Sequence, residues 1–240
     1  MCPESTDTLF DGRLTVCQDE AGYRFTVDAV LLASHVKPQA GDTIVDLGSG
    51  CGVIPLILSY RHPDIRVIGV EVQNELAEIA SRNVVENQMA DRVTILNQDM
   101  RSLTKEQLDC PVNVVISNPP YWQVGASRLN PNSQRAVARH ELKATLADVM
   151  DTAVRILVPS GKLIIIYPVD RMTDLITRMR SAAIEPGFFR TIHPLPDSAA
   201  KLILVEGVKG GRQGIRIASP LYITGPDGDY TDEMAEMFRA

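Results

Sequence analysis

The chain has 240 residues, 45% of them hydrophobic and 22% charged, ordinary globular values that exclude a disordered or collagen-like polymer. Its 24 lysines and arginines against 30 aspartates and glutamates leave a net charge of −6. That balance disfavours a protein that coats nucleic acid through bulk positive charge, while leaving local basic patches open. The length fits one domain over 1–240, read as an N-terminal extension (1–25), a core (26–208) and a C-terminal extension (209–240). Apolar runs such as 163–169 are too short to span a bilayer, so no membrane partner is expected. Cys2, Cys17, Cys51 and Cys110 make no Cys-x-x-Cys pair and no Cys/His cluster. No metal site is expected from them, and the chain reads as a reduced, cytoplasmic protein. The acidic first twenty residues argue against a secretory or transit segment.

In chain order, 13–18 and 23–25 flank a Gln-Asp-Glu-Ala-Gly turn and predict a short hairpin. Asp28 is expected to cap a helix over 29–36 that Pro38 ends. Strand-like runs then fall at 43–47, 66–71, 93–97, 112–117 and 162–167, with helical patterns at 53–60, 74–86, 142–157 and 171–183. This alternation implies an α/β fold, a doubly wound and mostly parallel sheet. Two further apolar runs, 187–193 and 201–208, have no helix between them and read as an antiparallel pair at one sheet edge. The segment 122–140 lacks periodicity, and loops that long are usually functional or disordered.

Where the first strand becomes a helix stands Val45-Asp46-Leu47-Gly48-Ser49-Gly50-Cys51-Gly52. Glycines let the backbone turn tightly and approach a ligand, and the helix start offers free N–H groups. The spacing is Gly-x-Gly-x-Gly, not the Gly-x-Gly-x-x-Gly of dinucleotide folds. Asp46 would sit badly beside a diphosphate but suits a ligand with cationic groups. Glu71, 19 residues after Gly52, can accept both hydroxyls of a ribose, and Asp99 after the third strand could lie near the adenine of the same ligand. The plain alternative is a glycine turn that only connects strand to helix, with acids that only cap helices.

The fourth strand closes with Ser117-Asn118-Pro119-Pro120-Tyr121. Open α/β sheets bind ligands at the carboxyl ends of their strands, so this segment should face the glycine turn across one cleft. The two prolines restrict the backbone around the Asn side chain and the carbonyls beside it. That array suits methylation of an amide-like or exocyclic amino nitrogen. The Asn118 amide oxygen and the Pro119 carbonyl accept its two N–H bonds, and Tyr121 stacks on the planar group.

Together, Asp46 to Gly52, Glu71, Asp99 and Asn118 to Tyr121 resemble the class I S-adenosylmethionine-dependent methyltransferases of the amino-methylating group. The resemblance implies a Rossmann-like, seven-stranded sheet whose last strand is antiparallel, with S-adenosyl-L-methionine as cofactor. A narrower resemblance rests on Gly22-Tyr23-Arg24-Phe25-Thr26-Val27-Asp28, on Gly52-Val53-Ile54-Pro55-Leu56 and on Arg139-His140-Glu141. It is to the bacterial tRNA adenine-N6 methyltransferases that act beside the anticodon of valine tRNA. There the segment around Arg24 lies over the cofactor, which makes Arg24, Phe25 and Asp28 further cofactor-site candidates. Phe25 as plain core and Asp28 as plain cap are the alternatives.

Between Trp122 and His140 stand Arg128, Arg135 and Arg139 and no acid, which beside Tyr121 and Trp122 matches phosphate positioning plus base stacking of a tRNA substrate. Lys209, Arg212 and Arg216 form a weaker second patch. Protein-glutamine methyltransferases and ribosomal guanine-N2 methyltransferases share the Asn-Pro-Pro-Tyr array, and a catalytically silent RNA-binding adaptor is the non-enzyme alternative. Their usual extra N-terminal domains have no counterpart in the roughly forty residues before Thr43, and the site residues are intact. Monomer and homodimer both remain open.

Overall fold

The computed structural model describes residues 4–19, 25–119 and 144–239. Its sheet runs in the order β5-β4-β3-β6-β7-β9-β8, with two short edge pieces, β10 and β11, both paired to β8. The strands are β3 (Thr43–Leu47), β4 (Arg66–Glu71), β5 (Val93–Asn97), β6 (Val112–Ser117), β7 (Leu157–Pro168), β8 (Ile184–His193), β9 (Leu202–Lys209), β10 (Arg216–Ile217) and β11 (Leu221–Tyr222). Among the seven long strands only β9 is antiparallel to its neighbours, β7 and β8. The expected Rossmann-like, mostly parallel sheet forms, with nine strands and not seven because β10 and β11 extend its edge, and the last long strand, β9, is antiparallel as expected.

Alternation along each strand sorts the core into two layers. Ile44, Val67, Val114 and Ile116 face α1 (Val27–His35), α2 (Val53–Arg61) and α3 (Asn74–Glu86). Val45, Leu47, Ile68, Val70 and Val115 face the other side, where α4 (Leu146–Ile156) and α5 (Met172–Ser181) pack. Most of these strands read as continuous apolar runs because both faces are covered. The exceptions on the first face, Asp46 and Glu71, are therefore informative: both are buried, at 0% and 5% exposure.

Several boundaries move, each for a local reason. An N-terminal hairpin forms, but not the expected one: 14–19 pairs with 4–9 and not with 23–25. Its strands are thus β1 (Glu4–Leu9) and β2 (Leu14–Asp19), joined through Phe10, Asp11 and Gly12, all at positive φ, while Phe25 lies in no strand and 20–24 lie outside the described residues. Helix α1 begins at Val27 with Thr26 in the extended N-cap conformation, so Asp28 is not the cap. Asp28 lies in the first turn, where a carboxylate meets the positive end of the helix dipole. Helix α4 starts at Leu146, behind a capping box in which Thr145 and Asp148 satisfy each other's backbone N–H. Strand β8 runs back to Ile184 because an irregularity between Pro186 and Phe188 absorbs the proline.

The C-terminal segment does not float. Helix α6 (Asp232–Met237) buries Met234 fully, and Arg61 donates to the Met237 carbonyl and to Ser34 Oγ at 2.7 Å. Arg190 holds Glu233 through both guanidinium nitrogens, at 2.7 and 2.8 Å. Among the described residues no helix is long and apolar enough to cross a membrane.

Candidate functional site

The sheet changes direction at β3: the chain builds outward through β4 and β5 on one side, then returns to add β6 and β7 on the other. The carboxyl ends of β3 and β6 thus flank the crevice at which open α/β sheets take their ligands. In register, Asp46 stands opposite Gly69 on one side and Ile116 on the other. Residues 48–52 leave the end of β3, Glu71 ends β4, and Asn118 and Pro119 follow β6. Ser117 Oγ ties the two sides together by donating to the Leu47 carbonyl at 2.9 Å.

The glycine turn is held from beneath. The N–H groups of Gly48 and Ser49 both donate to the Val70 carbonyl, at 2.9 and 3.1 Å, and Gly50 N–H donates to Glu71 Oε2 at 2.9 Å. Gly48 and Gly50 have φ of +82° and +55°, and a Cβ on either would meet no described atom within 4 Å. These glycines answer to backbone conformation and to open space, the requirement of a ligand cradle rather than of packing. Gly52 is different: it caps α2 at φ +84°, and a Cβ there would come within 3.1 Å of Ala80 Cβ. It lets α2 and α3 close beneath the turn.

Asp46 carries the strongest electrostatic signal. Both of its carboxyl oxygens are buried and, among the described residues, neither has a hydrogen-bond partner. Burial, with Glu71 adding to it, pushes its pKa up to about 8. A buried carboxyl group without a partner among the described residues needs an explanation, and a cationic ligand group supplies one. Glu71 is anchored instead: Oε2 holds Gly50 N–H, and Oε1 accepts Gln73 N–H at 2.9 Å. Oε1 also accepts the Gln73 side-chain amide at 3.4 Å, whereas Oε2 has a second lone pair to offer, so Glu71 can hold the turn and still accept a hydroxyl. The Cys51 thiol is pushed up to about 11 by burial first, the charges of Asp46 and of Asp7 in the hairpin adding to it.

The remaining expectations divide. Asp99 caps the short 3-10 turn Met100–Ser102, accepting Arg101 N–H at 2.9 Å, and its carboxylate also holds the Arg101 guanidinium. That contact lowers its pKa, so any adenine contact would compete with Arg101. Phe25 packs against the core, and its N–H donates to Gln18 Oε1 at 2.8 Å. Asp28 is half-buried, and burial raises its carboxyl. Arg24, Tyr121, Trp122, Arg128, Arg135 and Arg139 lie outside the described residues. The second basic patch is partly spoken for: Lys209 Nζ caps α4 through the Val154 and Leu157 carbonyls, and Arg216 stacks over Phe188.

Gly69, on β4, is a residue that motif reading missed, and Ser49, inside the glycine motif, packs where a Gly69 side chain would be. A Cβ on Gly69 would lie 2.8 Å from Ser49 Oγ and 2.8 Å from Ile95 Cδ1. The absent side chain leaves room for the glycine turn to settle onto β4. Gly69→Ala is expected to destabilise the protein by roughly 1–3 kcal/mol through overpacking, read as a Tm several degrees lower. A wild-type Tm would show that Ser49 is not seated there.

The description of the methyltransferase small domain family matches residues 24–176. A tRNA1(Val) (adenine(37)-N6)-methyltransferase from Porphyromonas gingivalis is 30% identical over 84% of this chain and 80% of its own length. One of the same name from Parabacteroides distasonis is 25% identical, over 81% and 80%. Among solved structures, a predicted O-methyltransferase from Agrobacterium tumefaciens superposes with TM-score 0.69 at 25% identity, covering 87% of this chain and 94% of that one. Geranyl diphosphate C-methyltransferase from Streptomyces coelicolor A3(2), at 18% identity and TM-score 0.55 over 76% of each chain, shares the fold.

Proposed function

The chain belongs to the methyltransferase small domain family and is an S-adenosylmethionine-dependent methyltransferase, and on that premise we propose that it methylates the exocyclic N6 of an adenosine in the anticodon loop of valine tRNA, in the cytoplasm. The observation that carries this reading is the pairing, across one crevice, of a buried carboxyl group without a partner among the described residues and an open glycine turn with Asn118-Pro119 at the end of the neighbouring strand. The names of the relatives support the choice of adenine and of tRNA.

Asp46, Gly48, Gly50 and Glu71 are the residues that would hold S-adenosylmethionine, whose sulfonium supplies an electrophilic methyl group when bound. The protein's own task is then orientation. The N6 lone pair of adenine is delocalised into the ring, which makes it a poor nucleophile. The Asn118 amide oxygen and the Pro119 carbonyl accept the two N–H bonds and aim the nitrogen, a contribution of the proximity kind. Tyr121 and Trp122 are assigned to stacking on the base and Arg128, Arg135 and Arg139 to the phosphates, on sequence grounds. No strong base is needed beforehand, because the proton can leave once the nitrogen has become cationic.

The test incubates purified protein with methyl-labelled S-adenosylmethionine and unmodified bulk tRNA, in parallel with a glutamine-bearing protein substrate. Nucleoside mass analysis should return N6-methyladenosine. Recovery of N2-methylguanosine, or label confined to the protein substrate, would replace the reading with one of its alternatives.

A further inference from the structure

The hairpin β1–β2 is a separate two-stranded sheet, and a lone hairpin is marginal in water. Here side chains complete its outer edge. Asn87 Oδ1 accepts Thr15 N–H at 2.9 Å, and its Nδ2 donates to the Thr15 carbonyl at 2.7 Å. One helical turn earlier, Asn83 Oδ1 accepts Cys17 N–H at 2.8 Å, and its Nδ2 donates to the Cys17 carbonyl at 3.0 Å. Positions 15 and 17 present their backbone groups to the same edge of a strand, and residues four apart share one face of a helix. Two amides, Asn83 on α3 and Asn87 at its C-cap, therefore take the place of a third strand.

Asn83 does one thing more. Its Nδ2 also donates to the carbonyl of Cys51, in the turn between Gly50 and Gly52, at 2.9 Å. The residue is fully buried, so both amide hydrogens and the oxygen are committed and none can turn to water. At the far end of β2, buried Gln18 donates to Asp7 Oδ2 at 2.5 Å and accepts Phe25 N–H at 2.8 Å. A connected path thus runs from Phe25, just before α1, through Gln18 and Cys17 of β2 and through Asn83, to the glycine turn.

We propose that Asn83 is a positioning residue for the cofactor: it locks the seated hairpin to the glycine turn, so that hairpin docking and cofactor binding are thermodynamically linked. The proposal rests on the turn being the cofactor cradle. If the turn takes its bonded arrangement when ligand binds, each event favours the other by the same factor. Asn83 lies beneath the turn and acts through the Cys51 carbonyl, not on the reacting atoms.

The experiment measures amide hydrogen exchange at Thr15 and Cys17 with and without S-adenosylhomocysteine, together with calorimetric affinity for that ligand. Bound ligand should slow both amides. Asn87→Ala, whose lost amide reaches Thr15 and the Asn83 carbonyl, should weaken the ligand roughly 5- to 10-fold by loosening the hairpin. Met234→Ala in α6 should lower Tm comparably and leave affinity unchanged, which separates linkage from general loss of stability. Ligand that binds the wild type without slowing Thr15 and Cys17, or an Asn87→Ala affinity equal to wild type, would overturn the linkage while the cofactor site stands. A wild type that takes up no ligand would overturn both.

Discussion

Asn118→Ala is expected to lower turnover by roughly 10²- to 10³-fold while leaving the affinity for S-adenosylhomocysteine within about twofold of wild type. The reasoning is positional. Asn118 follows β6, on the far side of the crevice from Glu71 at the end of β4, and the proposed ligand cradle comprises residues 46–52 and 71. Removing the amide oxygen takes away an acceptor for the target N–H and leaves the cradle's own bonds intact, those from Gly48 and Ser49 to Val70 and from Gly50 to Glu71. Ser117, which ties β6 to β3 through the Leu47 carbonyl, is also untouched, so the strand end should stay in place. The measurements are single-turnover methylation of unmodified tRNA and calorimetry with S-adenosylhomocysteine. Methylation at the wild-type rate would remove Asn118 from the chemistry. A parallel loss of cofactor affinity would show instead that it belongs to the cradle.

The parts of this site that can be read from sequence are those in which one residue type has one plausible use. An aspartate within the apolar run Thr43–Leu47, followed by three glycines at alternate positions, has few structural explanations. The parallel strands announce themselves because both of their faces are buried, which leaves little room for a polar alternative. What stayed hidden depends on partners distant in the chain. Asn83 looks like an ordinary polar residue of an amphipathic helix until Cys17, 66 positions away, is found against it. Gly69 looks like a weak point in a strand until Ser49 is found in the space its side chain would fill. Strand β1 gives no signal in the sequence, for a different reason. Its residues are largely polar because most of them stay at least partly exposed, and its turn uses Phe10 and Asp11 at positive φ, positions where glycine or asparagine would be the usual signal. Proline and glycine at 186 and 187 likewise conceal the start of β8, which tolerates them through an irregularity in its pairing.

Binding of S-adenosylmethionine near neutral pH should release close to one proton, and Asp46 is its source. In the ligand-free protein the carboxyl is pushed up to about 8, by burial first and by Glu71 second, so at pH 7 it is mostly protonated. A cationic ligand group set beside it favours the carboxylate and expels the proton. Affinity should therefore rise with pH and level off near 8. Calorimetry between about pH 6 and 7, in buffers of different ionisation enthalpy, isolates the effect, because an α-amino group of the ligand stays charged there. The stability of the free protein must show the opposite trend. A carboxyl whose folded pKa lies above its unfolded value binds more protons in the native state, so its contribution is full below the unfolded value and falls as pH rises to about 8. Asp46→Asn removes that dependence. Its Tm should gain on wild type progressively from about pH 5 to 8, while its cofactor affinity drops and loses its pH slope in this range. An affinity that is flat with pH in the wild type, or a Tm difference that does not grow, would mean that Asp46 is not the residue that meets the ligand's charge. The cost of keeping an acid that is unpaired among the described residues under the glycine turn would then need another explanation.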